Sequence, residues 1–371
     1  MNGKDNDTQS TLQYKYDYDF HTNHEIVLSK SKYRGKGLCG LINLGNKCFL
    51  NSILACLSNT VKLTDYFLSC KYRDDDPEQL NKRKKEYCLV FSYLNLLITI
   101  WDRNQLIKPK SFVENISKFV NKYYTFEQQD SHECLLYILD ILHKGLLYEI
   151  EVNIQGTVKN EQDLLMKTSI EKWKMFYEKN YSFITETFNG MFYNNVICNN
   201  CNVKENIFEP YNCISLTIPE DNSISLNDCL FDYFNNIETI NSWNCDKCKK
   251  NGCKKENKIW SIPNYLIIHF NRFKNNGSKI NTNIDFPLDN LNLTDYISKD
   301  KKEPNNYVYS LYAINYHSGN LQAGHYFSFC KNLNNNWYLF NDGDISKIET
   351  QNILTKDAYI LFYHRKMIVK R

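Results

Sequence analysis

Residues Gly40–Ser52 read GLINLGNKCFLNS, and the letters after the cysteine set the local structure. Leu50, Ile53, Leu54 and Leu57 recur at i, i+3, i+4 and i+7, the spacing of a helix with one buried face. Cys48 then stands at the mouth of that helix, where free backbone N–H groups and the helix dipole favour a thiolate. Cys56, in mid-helix, has no such advantage. A core cysteine is the ordinary reading for one thiol among fourteen. Cys48 becomes a nucleophile only if a base and an orienting group are found elsewhere.

Around this stretch, 371 residues are enough for one to three domains with a substantial core, and 42% apolar content with 27 Tyr and 21 Phe marks a folded globular chain. A formal charge of +3, with no Arg-rich face alternating with aromatics, gives no support to a nucleic-acid partner. The opening MNGKDNDTQSTLQYKYDYDF lacks the basic-then-apolar pattern of a secretory signal. The longest apolar run, Cys88–Trp101, is broken by Ser92, Tyr93, Asn95 and Thr99 and is too short for a membrane span. The expectation is a soluble intracellular protein, cytoplasmic or nuclear, without a membrane partner. Its cysteines then serve metal ligation or thiol chemistry rather than a disulfide scaffold.

Residues 1–34 are polar and without period, an irregular lead-in or tail. Helical spacing is predicted over Cys88–Trp101 and again over Ser131–Leu147, where Leu135, Leu139, Leu142 and Leu146 form a stripe. Lys71–Tyr87 between them reads as a loop or a solvated helix start. From about Tyr181 the pattern shifts to short aromatic and β-branched runs broken by Asn, Gly and Pro, as in strands with turns. Strands are predicted at Lys258–Trp260, Tyr265–Phe270, Tyr307–Tyr316, His325–Cys330, Trp337–Phe340 and Tyr359–Tyr363, with KNLNNNW as an exposed hairpin loop. The fold class is therefore α+β, a helical half followed by a sheet-rich half.

Two motifs carry soft ligands. Cys198 and Cys201 form CNNC, and Cys245 and Cys248 form CDKC. Each pair presents two thiolates from one tight turn, and two such turns match the four-sulfur set that tetrahedral zinc prefers. One structural zinc ion is expected, with Cys253 as a competitor for Cys248. A base for Cys48 is available in AGHYFSFC, where His325 lies, and an orienting acceptor in WYLFNDGD, where Asn341 and Asp342 are alternatives.

Taken in order, GLINLGNKCFLNS, YYTFEQQDSHECLLYILD, FNG, the two cysteine pairs, LIIHFNRF, YSLYAINYHSGNLQAGHYFSFC and WYLFNDGDIS resemble the ubiquitin-specific protease family of deubiquitinating cysteine peptidases over approximately Gly37–Tyr363. The resemblance implies a papain-like catalytic domain over 35–371, with a helical thumb at about 37–180 and a β-sheet palm and zinc-bearing β fingers at about 181–365. It implies Cys48 as nucleophile, His325 as general base and Asn341 as the residue orienting it, with Asp342 functionally important beside it and Asn43 at the oxyanion position. The substrate side would involve Gln129, Asp130, Glu133, His317 and Tyr326. The implied activity is thiol-dependent hydrolysis after the C-terminal glycine of ubiquitin, with ubiquitin and ubiquitinated proteins as partners.

Asp130 and Glu133 also fit a helix cap and its N3 partner, a role that needs no substrate; on the substrate reading, Asp130→Ala lowers turnover more than thermal stability. Lys47 departs from the Thr that the family usually carries before the nucleophile. An ammonium turned towards Cys48 would favour the thiolate, and one turned to solvent would not. Two other functions are compatible with the same letters: a catalytically silent ubiquitin-binding scaffold, and a peptidase for a ubiquitin-like modifier.

Overall fold

The computed structural model describes residues 14–16, 33–69, 84–220, 223–301, 306–320 and 323–366. Of the expected lead-in, only Tyr14–Tyr16 and residues 33–34 are described; Tyr14–Tyr16 pairs antiparallel with Val152–Ile154, and the rest of 1–34 lies outside the described residues. Residues 71–83 of the expected Lys71–Tyr87 loop lie outside them as well, while its end opens the helix Lys84–Asp102.

The helix Cys48–Ser58 begins at the cysteine, but all eleven of its residues are buried rather than one face of them. Its apolar side packs against the helices Val61–Leu68 and Ser131–Gly145, and its opposite side is covered by the strand Gly324–Lys331. A helix wrapped on both sides holds its N-terminus in one place, since each buried Leu, Ile or Phe contributes about 1.5–3 kcal/mol. Lys84–Asp102 and Lys110–Ser117 complete this helical layer, with Tyr93 fully buried between Phe67 and Phe112.

One further helix, Glu161–Tyr177, lies in the expected helical half, and two others, Phe183–Phe188 and Leu226–Asn235, stand where strands and turns were expected. Glu161–Tyr177 is capped by Asn160, whose side chain accepts from the Asp163 N–H. Phe183–Phe188, whose letters FITETF read as a strand, is a helix because Ser182 and Thr185 form a reciprocal capping box. Ser225 and Asp228 do the same for Leu226–Asn235. Phe183, Ile184 and Phe188 are buried in the helical core, so the sheet-rich part starts at Gly190 rather than at Tyr181.

From Lys258 onward every expected strand is present; all lie inside longer observed strands except Tyr307–Tyr316, whose observed strand runs Val308–Gly319. One sheet of eight strands is ordered 344–348, 337–341, 324–331, 308–319, 358–365, 265–271, 214–217, with Leu291–Asn292 paired to 308–319. All its pairings are antiparallel except 265–271 with 214–217. KNLNNNW forms the hairpin turn between Gly324–Lys331 and Trp337–Asn341, as expected, but only Asn335 of it is exposed and Asn332 is buried. A separate antiparallel sheet of four strands, ordered 204–211, 190–198, 251–261, 238–244, extends to the cysteine pairs.

Helical layer and large sheet are fastened by buried polar side chains. Ser131 Oγ donates to Asn315 Oδ1 at 2.7 Å, and Asn315 Nδ2 donates to Ser52 Oγ at 2.8 Å, so a fully buried Asn on the sheet links two helices. Buried polar groups without partners cost on the order of 1–3 kcal/mol each, which gives this chain of bonds a single favoured register. At the seam beside Cys48 the backbones nearly touch: a Cβ on Gly40 would sit 2.0 Å from the Gly343 carbonyl oxygen. Only glycine permits that approach.

Candidate active site

Cys48 is the first residue of its helix and is 3% exposed. His325, at the start of the strand Gly324–Lys331, approaches it from the sheet, and Asn341, at the end of Trp337–Asn341, lies beyond the histidine. The His325 Nε2 and Asn341 Oδ1 are 2.6 Å apart, which assigns the Nε2 proton to the amide oxygen and leaves Nδ1 for Cys48. The interaction with Cys48 is the largest influence on His325 and raises its pKa to about 9. Burial acts the other way, while Asn341 and the charges on Cys48 and Asp342 add to the rise. The imidazole is thus held as a cation facing the sulfur.

Asp342 begins a two-residue turn, Asp342–Gly343, with φ of 48°. Its carbonyl oxygen accepts from the Leu41 N–H at 2.7 Å, and its carboxylate accepts from Asn43 Nδ2 at 3.0 Å and Asn51 Nδ2 at 2.8 Å. Asn43 Oδ1 in turn accepts from the Lys47 N–H at 2.8 Å. Asp342 therefore does not compete with Asn341 for the imidazole; it fixes the Asn43–Lys47 loop against the nucleophile helix. Sequence reasoning missed Asn51. The available signal was an amide three residues after Cys48, on the same helix, in a mainly apolar run.

The remaining expected residues divide by location. Asp130 caps the helix Ser131–Gly145: its Oδ1 accepts from the His132 N–H at 2.6 Å and the Glu133 N–H at 3.4 Å, and its Oδ2 accepts from the Tyr359 hydroxyl at 2.7 Å. Glu133 does not close a capping box; it pairs with Lys122. Gln129 is half-buried and has no hydrogen bond among the described residues, whereas the adjacent Gln128 pairs with the Gly324 backbone, donating to its carbonyl at 2.6 Å and accepting from its N–H at 3.0 Å. Gln128 is the residue that ties this segment to His325.

His317 and Tyr326 are buried, with ring centroids 4.5 Å apart. Burial, and then the nearby Lys279, lowers the His317 pKa to about 4, so the ring stays neutral. Neighbouring residues on a strand point to opposite faces, so Tyr326 turns into the sheet where His325 turns to Cys48.

With both Asp130 oxygens engaged internally, Asp130→Ala will lower stability by about 2 kcal/mol, the sum of a lost cap and a lost charged hydrogen bond. Thermal melting of Asp130→Ala beside Asp130→Asn, which keeps the cap, checks it.

At the tip of the four-stranded sheet, the Cys198, Cys201, Cys245 and Cys248 sulfurs all lie within 4.8 Å of one another. Cys198 to Cys248 and Cys201 to Cys245 are both 3.7 Å. Four sulfurs at roughly 2.3 Å from a tetrahedral metal are roughly 3.8 Å apart, so the cluster fits a metal ion. Both turns are built alike: the residue after the second cysteine, Asn202 or Lys249, has positive φ and returns its N–H to the carbonyl of the first. Cys253 is outside the cluster, paired across the ladder with Cys198.

A sequence-family model described as ubiquitin carboxyl-terminal hydrolase matches residues 39–363. Ubiquitin carboxyl-terminal hydrolase 2 of Homo sapiens is 32% identical over an alignment of 343 residues that covers 88% of this chain and 55% of that protein. The chain thus spans about half the length of such curated relatives. A solved yeast SAGA DUB module with an Sgf73 variant superposes with a TM-score of 0.68 at 24% identity, covering 91% of this chain and 70% of that one. A SAGA Ubp8/Sgf11/Sus1/Sgf73 DUB module bound to ubiquitin aldehyde gives a TM-score of 0.69 at 24% identity, covering 91% and 71%. At those identities the likeness speaks for the fold.

Proposed function

This chain belongs to the ubiquitin carboxyl-terminal hydrolase family, and from that premise we propose that it hydrolyses isopeptide or peptide bonds after the C-terminal glycine of ubiquitin. The observation that carries the reading is the alignment of Cys48, His325 and Asn341, with Asn341 2.6 Å from the imidazole nitrogen that faces away from the sulfur. In this reading the Cys48 thiolate attacks the glycine carbonyl carbon. The negative charge moves to the carbonyl oxygen, where the second N–H of Asn43 Nδ2 and the Cys48 backbone N–H, one of the free donors of the first helical turn, receive it. As the C–N bond breaks, His325 gives its proton to the departing amine. It then takes a proton from water, which attacks the thioester and releases the free carboxylate and Cys48.

The substrate is assigned from the family. Ubiquitin and ubiquitinated proteins are the proposed partners, and the relative bound to ubiquitin aldehyde supports that choice. The metal at the fingertip is proposed to be a single structural zinc, because four thiolates in tetrahedral spacing suit it and nothing there resembles an open catalytic position. A cytoplasmic or nuclear location accompanies this substrate. Among the described residues no helix is long and apolar enough to cross a membrane.

The activity will fall on the alkaline side as the imidazolium loses its proton, with a midpoint near pH 9. His325 is raised above its unfolded value, so its contribution to folding is complete below about pH 6.5 and is lost as pH rises through about 9. A kcat/KM profile from pH 6 to about 10, with melting temperatures alongside, checks both limbs. To test substrate choice, fluorogenic C-terminal amides of ubiquitin and of ubiquitin-like modifiers are compared. Preference for ubiquitin supports the reading, and preference for another modifier overturns it.

A further inference from the structure

Lys47 precedes the nucleophile and is 3% exposed. A lysine so buried normally faces a carboxylate. Among the described residues none pairs with it; its Nζ donates instead to two carbonyls, Gly45 at 3.1 Å and Thr125. The contact belongs to a seam between the Asn43–Lys47 loop and the segment before Asp130. Asn46, at φ of 51°, donates from Nδ2 to the Phe126 carbonyl at 2.6 Å, and the Phe126 ring lies against Gly45, where a Cβ would come within 2.3 Å of it. The same loop carries Asn43, whose amide oxygen accepts the Lys47 N–H. The side chain thus turns neither to solvent nor to substrate.

We propose that Lys47 is a positioning residue for the nucleophile: its ammonium fastens the Asn43–Lys47 loop to Thr125–Phe126 and keeps a fixed positive charge near the Cys48 sulfur, alongside the charge on His325. The other charged groups around this corner are Asp342 on the sheet and, on the opposite wall, Asp130 and the Lys122–Glu133 pair. Burial holds the lysine below its usual range, and Cys48 is the charge that opposes this.

The proposal rests on Cys48 being the nucleophile, so its test needs a readout without ubiquitin. Full-length wild type, Lys47→Met, Lys47→Arg and Lys47→Thr are alkylated with iodoacetamide between pH 5 and about 9, and the Cys48 peptide is followed by mass spectrometry. Lys47→Met is expected to slow Cys48 alkylation at neutral pH about tenfold, equivalent to about 1.4 kcal/mol of lost charge–charge interaction. Lys47→Arg is expected to retain the wild-type rate. In hydrolysis of a ubiquitin C-terminal amide, the Met variant should lose kcat with KM little changed. Lys47→Thr is smaller than Met and replaces it should Met unfold the loop.

Superimposed alkylation profiles for wild type and the uncharged variants overturn the proposal. So does an equal loss in Arg and Met accompanied by equal falls in melting temperature, which would make Lys47 structural only. Wild-type Cys48 alkylating no faster than the buried Cys56 would instead sink the nucleophile assignment itself.

Discussion

Cys48→Ala is expected to lower hydrolysis of a ubiquitin C-terminal amide by about 10⁴-fold or more while leaving ubiquitin binding measurable. The reason is local. Cys48 is the sulfur that His325 faces, and Asn341 holds that histidine from the far side at 2.6 Å. The other thiols of the helical layer, Cys39, Cys56 and Cys134, are buried and burial raises each of their pKa values, so none of these three substitutes. His325→Ala should fall to a similar residual rate, and the double variant should be scarcely worse than either single one, because residues acting as one unit are not additive. Binding should survive, because the substrate is held mainly at a distance from the reacting atoms. Binding lost together with turnover would mean that Cys48 supports the fold, and turnover retained would remove it from the chemistry.

Removing the metal proposed at the fingertip is expected to have the second large effect. Four thiols brought within 4.8 Å without a metal have only a thin sheet tip beneath them, with Cys198 and Cys245 buried and the surrounding side chains mostly polar. Structural zinc sites of this kind supply about 10–16 kcal/mol of apparent binding energy, which is folding energy for the segment that carries them. A chelator strong enough to strip the ion, or Cys245→Ser, should therefore unfold 238–261 locally and raise KM for ubiquitin substrates, with a smaller effect on Cys48 alkylation by a small electrophile. Elemental analysis should give one zinc per chain in wild type. Hydrogen exchange should locate the loss of protection in the four-stranded sheet while the helix Cys48–Ser58 remains protected. Unchanged exchange after complete metal removal would show that the sheet stands without it.

How much of this was readable from the letters depends on the kind of interaction. The helix after Cys48, the strands of the large sheet and the clustering of the four cysteines were legible, because each depends on periodicity or spacing within a few residues. Phe183–Phe188 was misread because its β-branched and aromatic letters favour a strand, while the deciding contribution is a two-residue capping box at Ser182 and Thr185. Tyr326 could have been placed by alternation alone, since it neighbours His325 on one strand and must face the other side. The Asp342 clamp was out of reach: Asn43, Asn51 and Asp342 meet only when a helix and a sheet nearly 300 residues apart in sequence come together. Gln128 rather than Gln129 pairing with Gly324 is a choice between adjacent identical letters that only the backbone direction makes. Lys47 likewise depended on a side-chain direction, and the structure turns it inward.

The central claim is that Cys48, oriented by His325 and Asn341, reacts at the C-terminal glycine of ubiquitin. The most direct measurement is to incubate the purified protein with ubiquitin bearing an electrophile in place of its terminal carboxylate, and to map the adduct by mass spectrometry. A single adduct on Cys48 in wild type, absent from Cys48→Ala and strongly slowed in His325→Ala, is the predicted result. Reversible ubiquitin binding with no adduct, or an adduct on another cysteine, would contradict it.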